Sequence, residues 1–352
     1  MKKLFALVLT VALLTPMTLS VFATDLDTST IIYNDEFNFQ LVETVDENNR
    51  IIRTYEKDEQ PQARSTYGLR SNDDEADYYE RTKALLSDLG MGDAFISELS
   101  NEQLESYSDV KSITGIVSYT KSDIEGNVTY VSEKEASVYR SGPNFDENIF
   151  DDGGSGSAAY ETDSEDSYMR LYYMVIYYGD ALYKHIVTAE WLTMPICTSY
   201  DSLGVCSTWL TVELGSRYGW YSYDRSRGTI FGAETTNIQT NFTTSDFHQP
   251  SSGNWHGAGV IFNLPETYSA NGVTQIIRNF KVYFEYESRV QQPQQETYIE
   301  TNATYEHSLI DISFSPSLEI SSSEIGCSIG ISANWEIEQR SAYFDTSIHY
   351  IP

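Results

Sequence analysis

Residues 309–337 alternate. Ile310, Ile312, Phe314, Leu318 and Ile320 fall on even positions, with Asp311, Ser313, Ser315, Ser317, Glu319 and Ser321 between them. After Ser322, Ser323 and Glu324 the alternation resumes through Ile325, Ile329, Ile331, Ala333, Trp335 and Ile337. A period of two sends apolar and polar residues to opposite faces of a strand, whereas a helix would scatter them around its circumference. Two such runs with a short polar break read as an antiparallel hairpin with one dry and one wet face. The expectation is that the protein itself covers the dry side.

The same period recurs through most of the chain. Residues 37–41 and 50–55 alternate around the turn formed by Asp46, Glu47, Asn48 and Asn49, and residues 111–138 alternate around Glu125, Gly126 and Asn127. Between them, residues 73–107 change period. Tyr78, Thr82, Leu85, Leu86 and Leu89 recur at helical spacing. Asn72 with Glu75, and Ser100 with Gln103, have capping-box spacing, and Gly90 suits a helix end. Residues 141–167 are rich in Gly, Ser and acid and read as a linker. From Tyr168 onward strands follow one another, beginning with a run apolar on both faces, as a central strand requires. Gly179-Asp180 marks its turn. The fold class expected is mainly β: a C-terminal antiparallel β-sandwich over residues 168–352, preceded by a small α+β region over residues 24–140. No repeat of fixed period is evident, which disfavours a propeller or solenoid.

The first residues, Met1-Lys2-Lys3 followed by an apolar run and by Val21-Phe22-Ala23, match a secretory signal peptide of bacterial type, with a cut expected after Ala23. A secreted, extracellular, soluble protein is expected, with no stable membrane anchor. Fifty-two acidic against twenty-two basic residues give a net charge of -30, two units more negative without Lys2 and Lys3. That excess disfavours nucleic acid and anionic lipid surfaces, which both need Lys and Arg. No cofactor is expected. Calcium would suit the charge, yet no stretch follows the Asp-rich loop template. In a secreted chain Cys197 and Cys206, which bracket a loop at residues 198–205, can form a local disulfide, with two buried thiols as the plain alternative. Cys327 is left as a small core residue.

Candidate sites are few. The segment 217–224 carries Tyr218, Trp220, Tyr221 and Tyr223 close together. Flat rings flanked by polar groups suit a sugar ring or a partner protein, although Tyr also fits half-exposed strands for its own sake. Trp220, Tyr221, Tyr223 and Trp255 are therefore the ligand-stacking candidates, for an extracellular glycan or surface protein. His248 and His256 flank a polar loop with Asp246, Ser251 and Ser252, ingredients of a metal site or a Ser-His pair, at a spacing that matches neither template. No zinc-protease helix, phosphate loop or nucleophile elbow is present in the sequence.

Three segments carry a resemblance: residues 85–92 (LLSDLGMG) leading into 95–99 (FISEL), residues 189–195 (AEWLTMP) with Tyr200 and Asp201, and Tyr305-Glu306-His307. In these the chain resembles uncharacterised secreted proteins of Gram-positive bacteria. The resemblance implies secretion and a shared scaffold and brings no activity and no functional residue. The first expectation is thus an extracellular binding protein. One alternative is a secreted hydrolase using the His248/His256 loop. The other is a pore-forming protein that inserts the 309–337 hairpin, whose Ser-rich face would suit a barrel lumen, with Pro316 as the residue that speaks against it.

Overall fold

The run Ser167–Gly179 is apolar at odd and even positions alike, and both sets are buried. Leu171 and Tyr173 on one side, and Tyr172 and Met174 on the other, are fully inaccessible. A strand dry on both faces needs a layer above and a layer below. The computed structural model supplies them. It describes residues 29–34, 39–57, 72–123, 127–139, 166–194, 200–229, 232–249, 256–266, 268–270, 273–308, 317–323, 326–332 and 339–352.

In chain order the elements are β1 (Ser29–Asn34), β2 (Phe39–Val45), β3 (Ile51–Glu56), α1 (Asn72–Asp88), α2 (Asp93–Ile96), α3 (Asn101–Glu105), β4 (Ser112–Ser122), β5 (Val128–Val131), α4 (Glu133–Ser137), β6 (Ser167–Gly179), β7 (Leu182–Trp191), β8 (Tyr200–Ser207) and β9 (Leu210–Val212). There follow β10 (Tyr218–Thr229), β11 (Gly232–Asn241), β12 (Phe247–His248), β13 (Gly257–Asn263), β14 (Tyr268–Ala270), β15 (Val273–Val290), β16 (Thr297–Ser308), β17 (Ser317–Ser323), β18 (Gly326–Ser332) and β19 (Gln339–Tyr350). The protein is mainly antiparallel β with its few short helices early in the chain.

One large sheet runs β1-β2-β3-β4-β6-β7-β15-β10-β11, with β5 added to β4 and with β9 and β14 added to β15. A second sheet runs β12-β13-β8-β16-β19, and β17 and β18 form a sheet of their own. Between the first two sheets lies a core that takes Leu171 and Tyr173 from β6, Leu203 and Val205 from β8, Val260 and Phe262 from β13, Phe280 and Phe284 from β15, and Tyr305 from β16. The other face of the large sheet is covered by the helices: Leu86, Leu89, Phe95 and Leu104 pack with Ile113, Tyr172, Met174 and Ile186.

The sheet does not stop at residues 141–167. β4 pairs with β6 from Ser112↔Tyr177 to Ser122↔Ser167, so the early region and the later strands share one ladder. Other departures from the sequence reading are local. β1, residues 29–34, precedes the first strand that the sequence suggests. Residues 133–137, read as strand, are the helix α4, where the Ser132 hydroxyl caps the Glu135 amide. Residues 200–205, read as a loop between Cys197 and Cys206, lie in β8, a central strand. Their alternation was hidden because Asp201 and Ser202 are polar and buried.

Several predicted turns and caps are present. Asp180 (φ 50°) and Ala181 (φ 61°) form the two-residue turn from β6 to β7, both left-handed as a type I′ turn needs. Ser100 and Gln103 exchange their capping-box bonds at 3.2 and 2.9 Å. Gly90 (φ 97°) closes α1 in a Schellman motif: its amide donates to Ser87 and the Met91 amide donates to Leu86.

That helix end rests directly on β4. A Cβ at Gly115 would lie 2.6 Å from the Leu89 carbonyl oxygen and 3.1 Å from the Tyr172 hydroxyl. Gly115→Ala is expected to lower stability by about 1–3 kcal/mol. Gly215→Ala, with nothing within 4 Å, should change little. Urea denaturation of the two variants checks this.

Candidate functional site

The aromatic segment obeys the period of two, and that divides it. On β10, Trp220 faces the helix layer, while Tyr221 and Tyr223 face the layer between the sheets. Trp220 is buried, stacked on Tyr283 at 5.7 Å with planes 5° apart, and it lies 5.8 Å from Phe95. That indole is committed to the core, which corrects its choice as a ligand-stacking ring. Tyr221 is half-buried against Phe242, Phe262 and Phe280, and Tyr223 packs beside it at 6.4 Å. Trp220, Tyr221 and Tyr223 do not form one exposed row. Trp255 lies outside the described residues, and so does Cys197, hence the disulfide. Cys206 is buried in β8.

The histidine pair is equally divided. His248 is paired across from Gly259 in β12. His256 sits just before β13, three residues from Gly259, and its Nδ1 donates to the Leu210 carbonyl at 3.0 Å. Partial burial lowers the pKa of both rings; Asp246 opposes that at His248, and the Leu210 carbonyl opposes it at His256. The two clefts described are lined elsewhere. One, of about 550 Å³, includes Lys57, Asp109, Lys111 and Arg289; the other lies along the helices. Among the described residues no group of three or more His, Cys, Asp or Glu converges as a metal site requires.

A Ser-His contact does exist, in a place the sequence did not suggest. His185 Nδ1 lies 2.8 Å from the Tyr173 hydroxyl, and its Nε2 lies 2.8 Å from Ser288 Oγ. The ring is fully buried in the large sheet, stacked on Tyr286 at 4.8 Å, and Ser288 is fully buried with it. No substrate reaches Ser288 there, so the trio acts as a satisfied polar core. Burial pushes the His185 pKa down to about 3 from its ordinary 6.5. The unfolded chain therefore takes up a proton that the folded chain refuses, and stability is lost as pH falls from 6.5 towards 3. Urea titrations over that window should show stability falling more steeply in wild type than in His185→Gln, by up to about 1.4 kcal/mol per pH unit.

The element that stands apart is the hairpin β17–β18. Its register runs from Ser317↔Ser332 through Leu318↔Ile331, Glu319↔Gly330, Ile320↔Ile329, Ser321↔Ser328 and Ser322↔Cys327 to Ser323↔Gly326. Directly opposed residues share a face. Leu318, Ile320, Ile329 and Ile331 therefore fall on one face with Ser322 and Cys327. Ser317, Glu319, Ser321, Ser323, Gly326, Ser328, Gly330 and Ser332 fall on the other. Residues 309–316 and 333–338, the outer parts of the striped segment, lie outside the described residues.

This hairpin lies over β8, β13 and β16. By register, the outward face of those strands carries Ser202, Gly204 and Cys206, then Gly257, Gly259 and Ile261, then Asn302, Thr304 and Glu306. Ser202, Cys206, Asn302, Thr304 and Glu306 are nonetheless buried, although they point away from the sandwich core. The platform beneath the hairpin is thus covered and mostly polar or glycine.

The strands that lead into and out of the hairpin are neighbours. β16 and β19 pair from Thr297↔Tyr350 to Ser308↔Gln339. Just below that junction, on the core side, His307 Nδ1 lies 2.8 Å from Asp201 Oδ1, with both side chains wholly buried. The Tyr305 hydroxyl donates to the other Asp201 oxygen, and Trp191 Nε1 donates to the Tyr305 oxygen at 2.7 Å. Burial raises the pKa of Asp201, against the pull of His307, Tyr305 and Trp191. Asp201→Ala would leave Tyr305 and His307 unmatched in the core. It should cost about 3–5 kcal/mol, read by urea denaturation.

No family model matches the chain, and no curated protein does. Solved structures similar to it include delta-toxin of Clostridium perfringens, 8% identical, with a TM-score of 0.24 over 68% of this chain and 91% of that one. Another is a chain described as a pore forming protein, also 8% identical, with a TM-score of 0.23 over 68% and 93%. A third, a structure of manganese lipoxygenase of Gaeumannomyces graminis with part of zonadhesin of Komagataella pastoris, is 8% identical with a TM-score of 0.19 over 93% and 82%. Likeness at these scores does not establish a common fold. No helix among the described residues is long and apolar enough to cross a membrane, which leaves strands untouched by that criterion.

Proposed function

We propose that this chain is a secreted pore-forming protein that inserts the hairpin containing β17 and β18 into a lipid bilayer. The observation that carries the reading is the cross-strand register. It gathers Leu318, Ile320, Ile329 and Ile331 on one face and Ser, Gly and Glu on the other, in a sheet separate from the body. A barrel strand in a membrane needs that division, apolar outward and polar towards the lumen, over about 9–11 residues. The described strands have seven residues each. In the sequence the striping continues outward to Ile337 on one side and, interrupted at Pro316, to Ile310 on the other.

Two further features support the reading. The platform under the hairpin offers little apolar area to hold it down, whereas each large aliphatic residue moved from water into an apolar medium gains about 1.5–3 kcal/mol. The hairpin is also rooted in β16 and β19, which are already paired, so extension would lengthen an existing ladder. Lipid does not tolerate an open sheet edge, so one hairpin cannot span alone. The smallest single-chain barrels have about eight strands, which sets the need at about four or more copies. The partners are thus a bilayer and further copies of the chain.

Release of trapped dye from phosphatidylcholine–cholesterol vesicles tests this. Wild type is expected to release it. Ile320→Asp, on the apolar face, should abolish release, since every copy would then turn a carboxylate towards lipid. Ser321→Asp, on the polar face, should retain it. Both variants must first match the wild-type circular dichroism and melting curve. Intact vesicles across neutral and anionic compositions, or equal release by the two variants, would overturn the reading.

A further inference from the structure

We propose that Glu319 makes the pore selective for cations. This rests on the pore reading above and goes on to name what passes through.

Among the fourteen residues of β17 and β18, Glu319 is the one that carries a charge. Its register position places it on the face of Ser317, Ser321, Ser328 and Ser332, opposite Gly330. That is the face a barrel turns to its lumen. No Lys or Arg occurs anywhere in residues 309–338. Neither strand therefore brings a basic residue to neutralise the carboxylate, and its cross-strand neighbour has no side chain at all.

Assembly multiplies the single charge into a ring. Each copy contributes two strands at a spacing of about 4.8 Å, so equivalent positions on adjacent hairpins lie roughly 10–13 Å apart once strand tilt is included. That is at or just beyond the Debye length of about 8–10 Å at ordinary ionic strength, so neighbouring carboxylates are partly screened from one another and each acts mainly on the ions passing it. Rings of Asp or Glu in a water-filled pore favour cations over anions. Asp311 and Glu336, outside the described residues, continue the polar positions in the sequence and have the same sign.

The test is the reversal potential of the full-length protein in planar bilayers of neutral lipid under a potassium chloride gradient. Wild type is expected to favour potassium. The cation-to-chloride permeability ratio should fall several-fold in Glu319→Gln, return in Glu319→Asp, and drop below unity in Glu319→Lys. If the substituted hairpins do not insert, wild type alone decides, by whether its ratio falls as pH is lowered through the carboxylate range. A wild-type channel without cation preference, or a ratio unmoved in Glu319→Gln, overturns this inference and leaves the pore reading standing. Absence of any conductance overturns the pore reading, and this one with it.

Discussion

Strand β6 has to be dry on both faces. Its odd residues fill the space between the two sheets and its even residues lie under the helices. Everything large in the fold follows from serving those two faces. The helices are individually short and gain their stability from tertiary packing, which explains why they sit on the large sheet and not beside it. The five-stranded sheet closes the opposite side. Because β4 and β7 flank β6, the early strands are bound into the same ladder as the late ones.

A sheet this deeply covered must match its own polar groups. It does so in part, in small sets: His185 between Tyr173 and Ser288, Lys184 with Glu285 at 2.9 Å, and Asp201 with Tyr305 and with the Nδ1 of His307, whose Nε2 is left without a partner among the described residues. A buried polar group without a partner costs about 1–3 kcal/mol, so such sets hold the strands in one register. They resemble catalytic arrangements in composition and differ in access.

The hairpin β17–β18 breaks that economy. It belongs to neither large sheet, rests on glycine and polar residues, and is attached through β16 and β19, which form a finished pair without it. So regular an apolar stripe, in a two-stranded sheet of its own, is what the proposed insertion into a bilayer rests on.

Much of this was legible in the sequence. The striping of residues 309–337, the buried run of β6, the Ser100 capping box and the turn at Asp180 are local patterns, set by side chains a few positions apart. The same period of two, applied to β10, would also have separated Trp220 from Tyr221 and Tyr223. Burial of polar residues was not legible. Asp201 and Ser202 made β8 look like a loop, and the partners that satisfy Asp201 lie about a hundred residues away. Nor could the sequence tell which layer an alternating strand joins. Alternation determines that a strand has two unlike faces; only the assembled sheets decide what each face meets, since that depends on which distant strands arrive beside it.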